Sequence, residues 1–131
     1  MEQQAVSEAL INDLPHLWQN VLAFNRDQPL FMAHNDARQS NIAWHPEHGT
    51  RIVDWSRGDP APKNADATMF HTDLAKSGYD VLPYLESYNT NHALTLIGFW
   101  LAHSIWETHD GSSTVREHQA ASAVAAYKLY R

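Results

Sequence analysis

Apolar residues near the start of the chain recur at helical spacing. Leu10, Ile11, Leu14, Leu17, Trp18, Val21 and Leu22 predict a helix over 5–25, or a pair divided at Pro15. The pattern then shortens. "QPLFMAH", "NIAWH" and "RIVDW" predict three short strands, with "PEHGT" as the turn between the last two. "GDPAPKNAD" is too dense in Gly and Pro for a helix interior and predicts a loop. Helical spacing returns in "NADATMFHTDLAKSG", with Asn64 as N-cap, Gly78 as the stop, and Met69, Phe70, Leu74 and Ala75 on one side. "YDVLPYLESYN" continues the helical reading. In "TNHALTLIGFWLAHSIWETHDG", Leu94, Ile97, Leu101 and Ile105 form a stripe that Phe99, Trp100 and Trp106 widen, the pattern of a central helix. The Ala-rich "STVREHQAASAVAAYKLYR" predicts a last helix, capped at Ser112, Ser113 or Thr114. Lys128 and Arg131 lie near its end, where the dipole favours cations. The expected fold is α+β and mostly α: a helical domain with a short β-hairpin.

Totals narrow the picture. A chain of 131 residues that is 44% hydrophobic is long enough for one domain with a real core, spanning 1–131. The net charge of −6 and the lack of any Lys/Arg run argue against nucleic acid as a partner. The absence of cysteine excludes disulfides and thiolate metal sites and fits a reducing compartment. "MEQQAVSEALINDL" is acidic and has no basic and apolar leader, so the expected location is cytoplasmic. The longest apolar run, "ALTLIGFWLA", is about half of what a bilayer requires and reads as a buried helix, so no membrane partner is expected.

The polar stretch "HNDARQSN" changes the picture most. His34, Asp36 and Asn41 sit at the exit of one strand, and Asp54 ends the hairpin that follows. Two carboxylates and an amide converging on one end of a small sheet suit a hard cation such as Mg²⁺, which prefers oxygen ligands. One carboxylate stays free to accept a proton from a hydroxyl attacking a phosphoryl group. Both features belong to phosphoryl transfer.

"HNDARQSN" is H-x-D-x-x-x-x-N, the spacing of the protein-kinase catalytic loop. "IVDW" takes the place of the kinase D-F-G segment, and "DATMF" at Asp66 resembles a D-L-A segment. In these elements the chain resembles the aminoglycoside phosphotransferase and choline kinase-like family, over its C-terminal lobe. The resemblance implies a kinase-like C-lobe with Asp36 as catalytic base and Asn41 and Asp54 as ligands of the Mg²⁺ that accompanies ATP. His34 and Asp66 would support the loop, and Arg38 would touch the transferred phosphate. The acceptor implied is a small-molecule hydroxyl: an aminoglycoside, a choline-like amine, a sugar or a homoserine-type alcohol. The nucleotide-binding N-terminal lobe has no counterpart in this chain, and Lys63, Lys76 and Lys128 all follow the loop. The chain is therefore expected to be a fragment or a naturally reduced protein, with that lobe missing or separate, and to bind Mg-ATP poorly alone. Two alternatives stand beside transfer: a kinase-like scaffold without activity, and a metal-dependent hydrolase using Asp36, Asp54 and a His.

Other residues take plainer readings. His45 and His48, near Glu47, read as an exposed hairpin turn, with a zinc site as the lesser reading. His103 and His109 belong to helix faces and Asp59 to a turn. Asp73 lies inside a helix, too far from Asp54 for the D-L-A role. Trp100, Trp106, Tyr84 and Tyr88 are core residues by default and pocket residues in the family. Asp80, Glu86, Glu107, Asp110 and Glu117 are available to attract a cationic acceptor.

Overall fold

A computed structural model describes residues 2–22, 28–105 and 113–131. Trp106, Glu107, His109, Asp110 and Ser112 lie outside them. The order of elements is α1 (Glu2–Leu22), β1 (Leu30–Ala33), β2 (Ile42–His45), β3 (Gly49–Ile52), β4 (Asp59–Pro62), α2 (Ala65–Lys76), α3 (Thr90–Ser104) and α4 (Ser113–Tyr130). Short 3₁₀ turns cover Gln39–Asn41, Trp55–Arg57 and Leu82–Ser87. The fold is α+β and mostly helical. Among the described residues no helix is long and apolar enough to cross a membrane. Contacts gather the chain into two compact units: Met1–Asn25 with Thr90–Arg131, and Arg26–Asn89.

The first unit is a packing of α1, α3 and α4 around Leu10, Leu17, Leu94, Ile97, Ala123, Ala126 and Tyr127, with Val21, Trp100 and Leu101 against them. Alanines on α4 carry no bulk beyond Cβ, so α3 can approach closely, and α4 buries Ala123, Ala125 and Ala126. Polar tips inside this core are paired: the Tyr127 hydroxyl donates to Asp13 at 3.1 Å, and Asn20 Nδ2 donates to the Tyr130 hydroxyl at 2.7 Å. One alternative is decided here and one expectation corrected. Pro15 does not divide α1, which runs through it as one helix; packing of Leu10 and Leu17 on either side outweighs the one lost backbone bond. The apolar face of α1 is also wider than its buried stripe, for Ile11, Leu14 and Trp18 are exposed. On α3 the stripe holds at Leu94 and Ile97, while Ile105 falls beyond the helix end and is exposed.

The second unit carries two antiparallel ribbons, β2–β3 and β1–β4. The first is the expected hairpin, in register Ile42↔Ile52 and His45↔Gly49. The second was not expected, because β4 is the segment "DPAP" that its prolines marked as loop. Pro60 and Pro62 occupy alternate positions, opposite Met32 and Leu30. Their missing N–H groups therefore fall on one side of the strand, and a two-stranded ribbon leaves one side of each strand unpaired. Asp59, read as a turn residue, opens this strand.

α2 begins after Asn64, which has φ 63°. Its carbonyl, not its side chain, serves the helix start, accepting the Thr68 N–H at 2.9 Å and the Thr68 hydroxyl at 2.7 Å. The helix stops as expected at Gly78, with φ +92°. The Gly78 N–H donates to Ala75 O and the Tyr79 N–H to Leu74 O, the paired bonds of a Schellman cap that a left-handed residue closes. The fully buried face of α2 is Ala65, Thr68 and Thr72 rather than the Met69–Phe70–Leu74–Ala75 side. Threonines can be buried because their hydroxyls bond to carbonyls one turn back, as Thr72 does to Thr68 O at 2.9 Å. The segment after α2 forms a six-residue 3₁₀ turn instead of a helix, consistent with Pro83 at its start and too few residues for a second cap-to-cap helix.

Candidate active site

The loop from His34 to Asn41 joins β1 to β2, and its backbone is held by side chains rather than by strand pairing. At its entry Asp66, in the first turn of α2, accepts the N–H of His34 at 2.7 Å and of Asn35 at 2.9 Å. A carboxylate taking two backbone N–H groups in parallel fixes both position and orientation. At its exit Asp73 accepts the Gln39 N–H at 2.9 Å and Gln39 Nε2 at 3.0 Å. Asp66 and Asp73 are seven residues apart, two helical turns on one face, so α2 grips both ends of the loop.

His34 is wholly buried, and its ring nitrogens have unambiguous roles. Nδ1 accepts the Asp36 N–H at 3.2 Å, and Nε2 faces Val53 O at 2.7 Å. A backbone amide only donates and a carbonyl only accepts, which places the ring proton on Nε2. Trp55 closes the site edge-on, its ring centroid 4.8 Å from that of His34.

Val53 is thereby tied twice to the loop, for its N–H also donates to Asn41 O at 2.9 Å. Asp54 follows directly and is thus presented from a backbone locked to the loop. Asn35, Asp54 and Asn64 have φ near +60°, the left-handed region that Asn and Asp tolerate better than other side chains with a Cβ. Such conformations cost energy and persist where surrounding bonds impose them. Asn35 Nδ2 supplies two, to Asp59 O at 3.0 Å and to Arg57 O at 3.3 Å.

Asn41 is buried and donates through Nδ2 to Asp36 O at 2.9 Å and to Asp36 Oδ2 at 3.1 Å. Both partners are acceptors, so the amide orientation is settled and Oδ1 faces away from Asp36. Arg38 grips the same carboxylate from outside, Nε to Oδ1 at 2.8 Å and NH2 to Oδ2 at 3.2 Å. Asp54 points to solvent and accepts the Ser56 hydroxyl at 2.8 Å. The Ser56 hydroxyl and backbone N–H hold its carboxyl below the usual Asp range, which keeps it ionised at neutral pH.

The structure therefore joins His34, Asp36, Arg38, Asn41 and Asp66 in one bonded network. Asp54 joins it through its backbone neighbour, with no bond between its carboxylate and Asn41 among the described residues. The Oδ1 of Asn41 and the Asp54 carboxylate are hard oxygen donors of the kind Mg²⁺ takes. What sequence reasoning missed is Gln39 with Asp73, whose pairing across 34 positions leaves no local signal; only the seven-residue spacing from Asp66 hinted at it. Of the other residues singled out, Tyr84, Asp80, Glu86 and Glu117 are exposed, and His103 Nδ1 bonds back to Phe99 O on its helix face. His45, Glu47 and His48 do come together at the hairpin tip. No protein-family model, curated protein or solved structure matches the chain.

Proposed function

We propose that the Arg26–Asn89 unit is the phosphotransfer part of a kinase-like C-terminal lobe, moving the γ-phosphoryl group of ATP to a hydroxyl of a small molecule. One observation carries this reading: the Asp36 carboxylate and the Asn41 amide are bonded to each other, and the Val53 backbone couples both to Asp54. Asp36 then takes the proton of the acceptor hydroxyl as its oxygen bonds to the γ-phosphorus and the bond to ADP breaks. Asn41 Oδ1 and Asp54 would hold Mg²⁺, which supplies charge neutralisation on the phosphoryl oxygens. Asn41 Nδ2 orients the base, and His34 and Asp66 hold the backbone that carries it. Arg38, more than half exposed, is free to exchange the Asp36 carboxylate for a phosphate oxygen, which uncovers the base as substrate arrives.

The test is Mg-ATP titration and ATP turnover against a panel of hydroxyl acceptors. Weak but saturable nucleotide binding, weakened further by Asp54→Asn, is expected, together with a loss of transfer of about 10²-fold or more in Asp36→Asn. Unchanged turnover in Asp36→Asn overturns the assignment. No binding at millimolar nucleotide favours a kinase-like interaction module.

A further inference from the structure

The tip of the β2–β3 hairpin holds a second group of side chains, remote in chemistry from the oxygen donors of Asn41 and Asp54. We propose that His45, Glu47 and His48 form a surface zinc(II) site. One ligand atom from each lies within 4.8 Å of the others, and the two imidazoles stack with centroids 4.7 Å apart and planes 19° from parallel. The three residues therefore present their donors on one side of the turn.

The hairpin accounts for that arrangement. His45 and Gly49 are partners at the end of the β2–β3 ladder, and Gly49 closes the turn with φ +68°, which a residue with a Cβ adopts at a cost. The donors thus lie within a turn whose two ends, His45 and Gly49, are pinned by the ladder. The Glu47 N–H donates to His45 Nδ1 at 3.1 Å. That nitrogen accordingly carries its lone pair, which the Glu47 N–H engages in the free turn, and a lone pair is what a metal takes once that bond is released. Arg51, on the same face of the ladder by register, is turned back onto Thr50 O at 3.2 Å.

Two imidazoles and one carboxylate are a donor set for Zn²⁺, with water completing the tetrahedron; Mg²⁺ prefers oxygens and dehydrates reluctantly. Zinc bonds of about 2.0–2.1 Å need donors about 3.3 Å apart. The exposed rings reach that by rotating through roughly 1.5 Å, and binding breaks the Glu47 N–H bond to Nδ1, which water replaces. Each step moves side chains alone.

Titration of Zn²⁺ into the chelator-treated chain tests this. One saturable zinc per chain is expected, with His45→Ala and His48→Ala each weakening it about tenfold or more, and Glu47→Gln weakening it less. Imidazole NMR adds a readout on the unaltered protein: the resonances of His45 and His48 shift first among the nine histidines. All three side chains are exposed, so the variants keep the fold, which circular dichroism checks. Wild-type affinity in the doubly substituted His45→Ala, His48→Ala chain overturns the proposal. So does the absence of saturable binding at millimolar zinc, or first shifts at other histidines.

Discussion

His34 shows what a single side chain does in this unit. It is buried with both nitrogens satisfied, one by the loop that carries Asp36 and one by the strand end that carries Asp54. His34→Ala leaves the Asp36 N–H and Val53 O without partners in a part-buried setting, toward the lower end of the range for orphaned groups, at about 1–2 kcal/mol each. Denaturant unfolding of that variant is expected to show a loss of roughly 2–4 kcal/mol; a change below about 0.5 kcal/mol would mean that water enters and replaces both bonds. The polar character of the loop was legible in the sequence, and so was the spacing of Asp36 and Asn41. The tautomer of His34 was not, since it depends on Val53, 19 positions away.

At the scale of elements, α2 works as the backing plate of the loop, with Asp66 at one end and Asp73 at the other. Burial alone would raise the Asp73 carboxyl, but the Gln39 backbone and side-chain N–H groups and Lys76 outweigh it and hold the group below its ordinary value of 3.8. A depressed folded value means that the ionised form favours the fold. Its contribution is complete above 3.8 and is lost as pH falls through the folded value. Wild type should therefore lose stability below pH 3.8 more steeply than Asp73→Asn, as followed by denaturant midpoints. Hydrogen exchange should show the Gln39 amide opening faster in Asp73→Asn than in wild type. Parallel acid profiles would remove Asp73 from the loop's support. The start and stop of α2 at Asn64 and Gly78 were readable from residue type. The β1–β4 ribbon was not, because two prolines signal a loop until a partner strand shows which side their missing donors face.

For the whole molecule, the two units are stabilised differently. The Met1–Asn25 and Thr90–Arg131 unit has a leucine, isoleucine, alanine and tyrosine core. In the Arg26–Asn89 unit the apolar cluster is three alanines, Ala33, Ala61 and Ala65, and order comes from hydrogen bonds that converge on α2. Buried polar groups then carry its pH response. Burial first of all pushes the Tyr88 hydroxyl up to about 12, against a bond to Thr72 that lowers it. A raised folded value makes the neutral phenol the stabilising form, so its contribution is complete below pH 10 and fades as pH rises from 10 to about 12. The shift corresponds to about 3 kcal/mol at most. Alkaline unfolding followed by circular dichroism should lose this steepness in Tyr88→Phe, and tyrosinate absorbance should show one late-titrating phenol fewer. Superimposed alkaline curves for the two proteins would contradict it.

The sequence by itself determined the long helices, the stop of α2 at Gly78, the β2–β3 hairpin turn and the polar loop, because each follows from neighbours within one or two turns of chain. Tertiary structure alone decided which apolar face of α1 is covered, that "DPAP" pairs with β1, and that Asp73 braces Gln39. It also decided that Val53 is bonded at both backbone groups to the loop. Those outcomes depend on residues from about 12 to more than 100 positions apart, and local periodicity carries no information about which distant donor meets which acceptor.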